Sequence, residues 1–240
     1  MIEGLPGMGN VGKITIDFII ESLKAEKIAE IYANYFNHCV FVQENGSCKL
    51  PTIDIFHKRV KGKDFVFVTG DIQPVDERGC YDFCFGLVEW FKTVNGSEII
   101  TIGGIGLEEV PKDPGVFICS SNKKMIAKFK DKEVGANAFN VVGPIMGVSG
   151  VLVGVAQLNN IPALTVLAET YGNPLYLGIK GSRKILKLLE NKMNLGLNLK
   201  SLDKEIKEVE KDVKDKMDKD LLMTPEESGL QGKGFTNYIG

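Results

Sequence analysis

Residues 3–15 read EGLPGMGNVGKIT, a glycine-dense opening in a chain of 240 residues, and the fold turns on what those glycines are for. Gly7, Gly9 and Gly12 spell G-x-G-x-x-G, the turn by which a strand delivers a dinucleotide pyrophosphate to a helix N-terminus. The run from Gly7 to Lys13 also spells G-x-x-x-x-G-K, most of a triphosphate loop. Each reading has further requirements. A dinucleotide site needs a full strand ahead of the first glycine, and only Met1, Ile2 and Glu3 stand there, so the strand is a stub or the start is truncated. It also needs an acid about 20 residues on to hold the ribose; the expected place reads IYANYF, without a carboxylate. A triphosphate loop needs a hydroxyl directly after its lysine to ligate magnesium. Ile14 stands there, and Thr15, one residue late, is turned by ~100° on a helix. A third reading makes Gly7, Gly9 and Gly12 a structural turn that lets the first helix sit close to the sheet.

Working outward, KITIDFIIESLKAEK sets Ile14, Phe18, Ile19 and Leu23 at helical spacing, which predicts the first helix. AEIYA and HCVFVQ read as strands, and Asn45-Gly46 between β-prone flanks is a hairpin signal. TIDIFHKR and DFVFVTG are further strands. A helix follows from Gly79, with Phe83, Leu87, Val88 and Phe91 on one side. EIITIGGIG is a near-continuous apolar run ending in glycines, as a central parallel strand is. GVFICSSN and NKKMIAKFK predict a strand and a short helix. The second Gly-rich stretch, NVVGPIMGVSGVLVGVAQLNN, feeds a tightly packed helix from about Gly147. IPALTVLAET is the next buried strand and KGSRKILKLLENKMN the next helix. Strands alternating with helices predict an α/β sheet covered on both faces, with a mixed-sheet hairpin early in the chain.

From about Leu195 the character changes. Leu202, Ile206, Val209, Val213, Met217 and Leu221 recur at spacings of three and four in nearly solid charge. That narrow seam predicts an amphipathic helix, folded back on its own domain or serving an oligomer or partner. The polar, Gly-rich tail predicts flexibility, yet carries Phe235, Tyr238 and Ile239 before the terminal Gly240. The expected division is a globular domain over 1–195, a charged helix over 196–221 and a tail over 222–240.

Composition excludes several classes. Hydrophobic residues at 44%, charged residues at 25% and a net charge of −2 describe a globular chain without a global pull on nucleic acid. No apolar run approaches the ~18–20 residues of a membrane helix, and MIEGLPG lacks the features of a signal peptide; a cytoplasmic location is expected. The five cysteines form no C-x-x-C pair, and with only two histidines neither a metal site nor a cofactor is expected. Cys80 and Cys84, four apart, share a helix face and read as buried. Catalytic constellations are thin. Ser149 lacks a nucleophile elbow, His57 reads as a solvated strand residue, and Glu108 and Glu109 as solvated loop acids. GDIQP, residues 70–74, is a polar cluster at a strand's carboxyl end, where open α/β sheets bind ligands. Its Asp71 loosely resembles a metal-holding acid, and a structural turn is the other reading.

Three stretches taken in order, GLPGMGNVG, VTGDIQP and GPIMGVSGVLVGVAQLNNIPALTVLAET, resemble the proteasome assembly chaperone family, particularly its archaeal members. The likeness covers residues 1–189. It implies a three-layer α/β/α sandwich, phosphorylase/hydrolase-like, around a mixed, mostly parallel sheet, with a C-terminal helical extension. It also implies an oligomeric protein without catalysis that binds 20S proteasome α subunits or a second assembly chaperone. In that family a hydrophobic–Tyr–any-residue terminus inserts between α subunits. Here Tyr238 is third from the end and follows Asn237, so the tail departs from that pattern. A nucleotide- or nucleoside-handling enzyme using the loop from Gly7 to Lys13 is the alternative.

Overall fold

The computed structural model describes residues 1–132, 134–135, 143–200 and 203, and the chain divides at Leu199, so that Met1–Leu199 forms one unit. The helix positions Leu202, Ile206, Val209, Val213, Met217 and Leu221 and the tail positions Phe235, Tyr238, Ile239 and Gly240 lie outside the described residues.

In chain order the unit comprises β1 (Ile2–Glu3), α1 (Val11–Leu23), β2 (Glu26–Ile31), β3 (Phe41–Val42), β4 (Cys48–Lys49), β5 (Ile53–Val60) and β6 (Lys63–Gly70). There follow α2 (Glu77–Thr93), β7 (Ile99–Leu107), β8 (Val116–Cys119), α3 (Lys123–Phe129), β9 (Val134–Gly135), α4 (Val148–Leu158), β10 (Ala163–Tyr171) and α5 (Ile179–Met193). Eight strands form one mixed sheet in the order β2-β5-β6-β1-β7-β10-β8-β9. Its centre, β6-β1-β7-β10, is parallel, and β5 and β8 run against it on either side. α2 and α4 pack together on one face, α1 and α5 on the other. This is the α/β sandwich that the alternation of elements predicts.

The first strand, two residues long here, is central: Ile2 and Glu3 pair with Phe67 and Val68 of β6 and with Ile100 and Thr101 of β7. With neighbours on both sides, two residues suffice to hold β1 in the sheet. The early mixed-sheet hairpin is β5–β6, closed by Lys61 and Gly62, both at positive φ, as a two-residue hairpin turn requires. Asn45-Gly46 closes a second hairpin, β3–β4, which forms its own two-stranded ladder outside the main sheet. Of HCVFVQ only Phe41 and Val42 are in strand. α2 starts before Gly79: the Asp76 side chain accepts from Gly79 N at 2.6 Å and caps the helix two residues earlier.

The core follows the predicted periodicities. On the α2/α4 face, Phe83, Leu87, Val88 and Phe91 meet Leu152 and Val155 over Ile53 and Val68. Cys80 and Cys84 lie within this cluster; burial raises the thiol pKa of both, strongly for Cys84, which leaves them inert packing groups. On the opposite face, Ile16 and Ile19 of α1 and Ile185 and Leu189 of α5 are fully buried. Among the described residues no helix is long and apolar enough to cross a membrane.

Candidate functional site

The glycine turn works at two contact points. A Cβ on Gly12 would sit 2.5 Å from Ile102 O and 3.1 Å from Gly4 Cα, so α1 lies against the sheet with no room for a side chain. Gly9 adopts φ +59, a left-handed conformation, and a Cβ there would overlap Thr170 Oγ1. Gly7 differs. Its backbone is extended, and a Cβ would find Gln73 Nε2 no closer than 3.9 Å. Lys13 turns aside and pairs with Asp17 at 2.8 Å, one turn along α1.

Beside this turn, at the carboxyl ends of the parallel strands, lies a cavity of about 920 Å³. Its place follows from topology. β1 sends its chain to α1 on one face, its neighbour β6 sends its chain to α2 on the other, and the two loops part to leave a crevice. The walls are residues 5–8 after β1, 71–75 after β6, 102–106 of β7, and 143–147 with Ser149 at the entry to α4. The polar stretch of residues 70–74 therefore stands at the crevice, apart from Gly70. Gln73 spans it: Nε2 donates to Pro6 O at 2.9 Å and Oε1 accepts from Val148 N at 3.4 Å. Asp71 Oδ2 accepts from Thr52 N at 3.1 Å and faces Lys49 Nζ at 3.8 Å.

Beneath the cavity lies Glu3, with no solvent exposure. Its Oε1 accepts from Leu5 N at 3.1 Å, and Ser149 Oγ stands 3.2 Å from its Oε2 and 3.2 Å from Ile102 O. Burial pushes the Glu3 carboxyl up to about 8, against the opposing pull of Leu5 N–H and the Ser149 hydroxyl. The Ser149 hydroxyl thus faces two acceptors, Glu3 Oε2 and Ile102 O, on neighbouring strands. Thr101 Oγ1 donates to Ser149 O at 2.7 Å and contacts Thr165 Oγ1 at 3.0 Å. The network anchors the start of α4 to three central strands.

The remaining polar candidates are dispersed. His57 lies 3.1 Å from Asp64 on exposed strand positions, and Glu108 and Glu109 are exposed. Among the described residues no three His, Cys, Asp or Glu side chains gather as a metal site. Among the described residues that line the cavity there is no Lys, Arg or His. Sequence reasoning missed Glu3 as a site residue; the available signal was a carboxylate at the end of a core strand, directly before a glycine.

A family model described as the PAC2 family matches residues 1–217. Over 210 residues the chain is 25% identical to an uncharacterized protein of Methanocaldococcus jannaschii, spanning 88% of this chain and 80% of that one. Among solved structures, Pyrococcus furiosus PbaB, described as an archaeal proteasome activator, matches with a TM-score of 0.82 and 28% identity. That match covers 89% of this chain and 91% of PbaB. P. furiosus PbaA, described as an archaeal homolog of proteasome-assembly chaperone, matches with a TM-score of 0.74 over 91% of this chain and 87% of its own. At 20% identity that second likeness is one of fold.

Proposed function

This chain belongs to the PAC2 family, and from that premise we propose that it is an oligomeric, non-catalytic protein that binds 20S proteasome α subunits or a related chaperone partner. The observation that carries this reading is the likeness to PbaB, which extends over nine-tenths of both chains at 28% identity. The order of the three sequence stretches supports it as well, since all belong to the part that the family model spans.

Two segments would do the binding. The charged helix over 196–221 supplies a narrow apolar seam, Leu202, Ile206, Val209, Val213 and Met217, suited to a sister subunit or partner helix. The tail over 222–240 supplies a leash carrying Phe235, Tyr238, Ile239 and Gly240, with an aromatic anchor for a partner pocket. Tyr238 is third from the end and follows Asn237, a departure from the family's hydrophobic–Tyr–any-residue pattern.

The test is a pull-down of recombinant proteasome α subunits on the full chain and on a chain ending at residue 221. Retention by the first and loss by the second is expected. Absence of retention by the full chain would overturn the reading. The description of PbaB favours a second version, in which the chain stimulates the assembled proteasome. Peptide hydrolysis by 20S particles would then rise on adding the full chain and stay unchanged on adding the truncated one.

A further inference from the structure

The binding reading above leaves the composition of one helix unexplained. α4 contains no charged residue, nor does the whole stretch 134–168, whereas α1, α2, α3 and α5 each carry several. A helix that is apolar all round belongs in a core. α4 buries Val148, Leu152, Val155 and Ala156, yet Gly154, Gln157 and Leu158 on its other side are exposed. We infer that this outer face of α4, with the adjoining ridge of α2, is the surface on which a second copy of the chain packs. The inference deepens the oligomeric part of the reading above and rests on it.

The face is built from both helices. Gln73 Oε1, ahead of α2, accepts from Val148 N at the start of α4, and Lys92 Nζ, near the end of α2, donates to Asn159 Oδ1 just past the end of α4. The two helices therefore run side by side in the same direction. Tyr81, Phe85 and Lys92 share one side of α2 through spacings of four and seven, so the ridge that reaches α4 at Lys92 is aromatic along the rest of its length. The Tyr81 and Phe85 rings stack with centroids 6.5 Å apart and stay 52% and 43% exposed. Met146 and Leu158, before and at the end of α4, are 82% and 74% exposed. Between them a Cβ on Gly154 would meet nothing, which leaves a hollow flanked by projecting apolar side chains. The opposite layer differs: no large hydrophobic side chain of α1 or α5 is exposed.

Area and charge point to a second copy. The 17 residues of α2 span about 25 Å, and two helices side by side cover about 20 Å. A copy contributing the same patch brings the buried total to about 1,000 Å², where specific interfaces begin. The exposed charges of the layer lie on α2, among them Arg78, Asp82 and Glu89. Laying α2 of one copy across α4 of another would desolvate Asp82 and Glu89 without a partner, which is unfavourable. A two-fold arrangement with α4 on α4 and α2 on α2, each pair antiparallel, keeps apolar against apolar. Arg78 and Glu89 are eleven residues apart, three turns along one side of α2, so Arg78 of each copy then faces Glu89 of the other. The surface is self-complementary, as a two-fold contact requires.

Two versions of the full chain test the contact. Leu158→Asp alters a side chain that is exposed in the single chain, so the fold is expected to survive, while light scattering should show the particle mass reduced by about twofold or more. The second version carries Cys39→Ser and Cys48→Ser, which remove the exposed thiols, and Gly154→Cys, for which there is space. A short bis-maleimide should join it into covalent dimers, whereas Glu21→Cys on α1 in the same background should stay uncrosslinked. If the original chain scattered as a single copy, the oligomeric reading would fall and this inference with it. An oligomer that keeps its mass in Leu158→Asp and does not crosslink through position 154 would overturn this inference alone. Protection of the introduced thiol from alkylation in a particle of one chain's mass would assign the cover to another part of the same chain and exclude the second copy.

Discussion

Ser149 Oγ stands 3.2 Å from Glu3 Oε2, joining residues 146 positions apart across the floor of the cavity. The same hydroxyl reaches Ile102 O at 3.2 Å. Burial at the centre of the sheet raises the Glu3 carboxyl pKa, and its protonation is thereby linked to folding.

That linkage has a definite sign. The Glu3 carboxyl is raised from 4.5 to about 8 by burial, so between those values the folded chain holds a proton that the unfolded chain has released. Its contribution to stability is complete below about 4.5 and is lost as pH rises through about 8. Glu3→Gln mimics the protonated carboxyl and donates to Ser149 through its amide. The variant should match the original at acid pH and gain on it by a few kcal/mol as pH climbs through this window. Denaturant unfolding at several pH values measures the difference, and a gap independent of pH would refute the protonated Glu3.

The glycine turn separates packing from access. Gly12→Ala places a Cβ against Ile102 O, a backbone atom that cannot rotate away, and should lower the thermal midpoint by about 5–10 °C. Gly9→Val adds backbone strain to a clash with Thr170 and should behave at least as badly. Gly7→Ala has space and an extended backbone and should change the midpoint little. Circular dichroism melts of the three variants suffice; equal behaviour of Gly7 and Gly12 would contradict the assignment.

Thr170 is 1% exposed, and its Oγ1 has no hydrogen-bond partner among the described residues. A buried hydroxyl left unpaired costs about 1–3 kcal/mol. Thr170→Val keeps the shape and removes the polar atom, so it should be neutral or stabilising. A loss of stability in chemical denaturation would show that the hydroxyl is satisfied in solution.

Asp76 caps α2 through Gly79 N. Asp76→Ala should destabilise the fold by about 1 kcal/mol, with Asp76→Asn recovering most of it. Urea unfolding midpoints of the two variants decide whether the cap acts as a hydrogen-bond acceptor.

For the proposed oligomer, Ile206→Asp combined with Val213→Asp places two charges among the apolar positions 202, 206, 209, 213 and 217. Multi-angle light scattering is expected to show a smaller particle than the original chain gives. An unchanged mass would assign assembly to another surface.

The elements differ in how plainly the amino-acid pattern announced them. α1, α4 and α5 and the apolar strands β7 and β10 follow from periodicity, because each buries a face or a whole run and the residues alternate accordingly. The start of α2 was misplaced at Gly79 because its cap, Asp76, sits in a polar loop where an acid has other reasons to be. The hairpin at Asn45-Gly46 was legible as a turn, but nothing local said that its arms would stay outside the main sheet. At the site, residues 70–74 were recognisable from their place after a buried strand, whereas Glu3 was read only as part of a stub.

What the chain alone determined is the set of local choices: helix against strand, where glycine is needed, which cysteines face inward, and which family pattern the ordered stretches follow. Those depend on neighbours within a few positions, where propensity and periodicity act. Only the tertiary structure decided that Gly12 meets a backbone carbonyl from residue 102, that Glu3 meets a hydroxyl from residue 149, and that diverging loops leave a cavity between them. Such contacts arise when distant segments are brought together by burying the sheet, and the energy that perturbs a carboxyl or excludes a side chain exists only once that burial has happened.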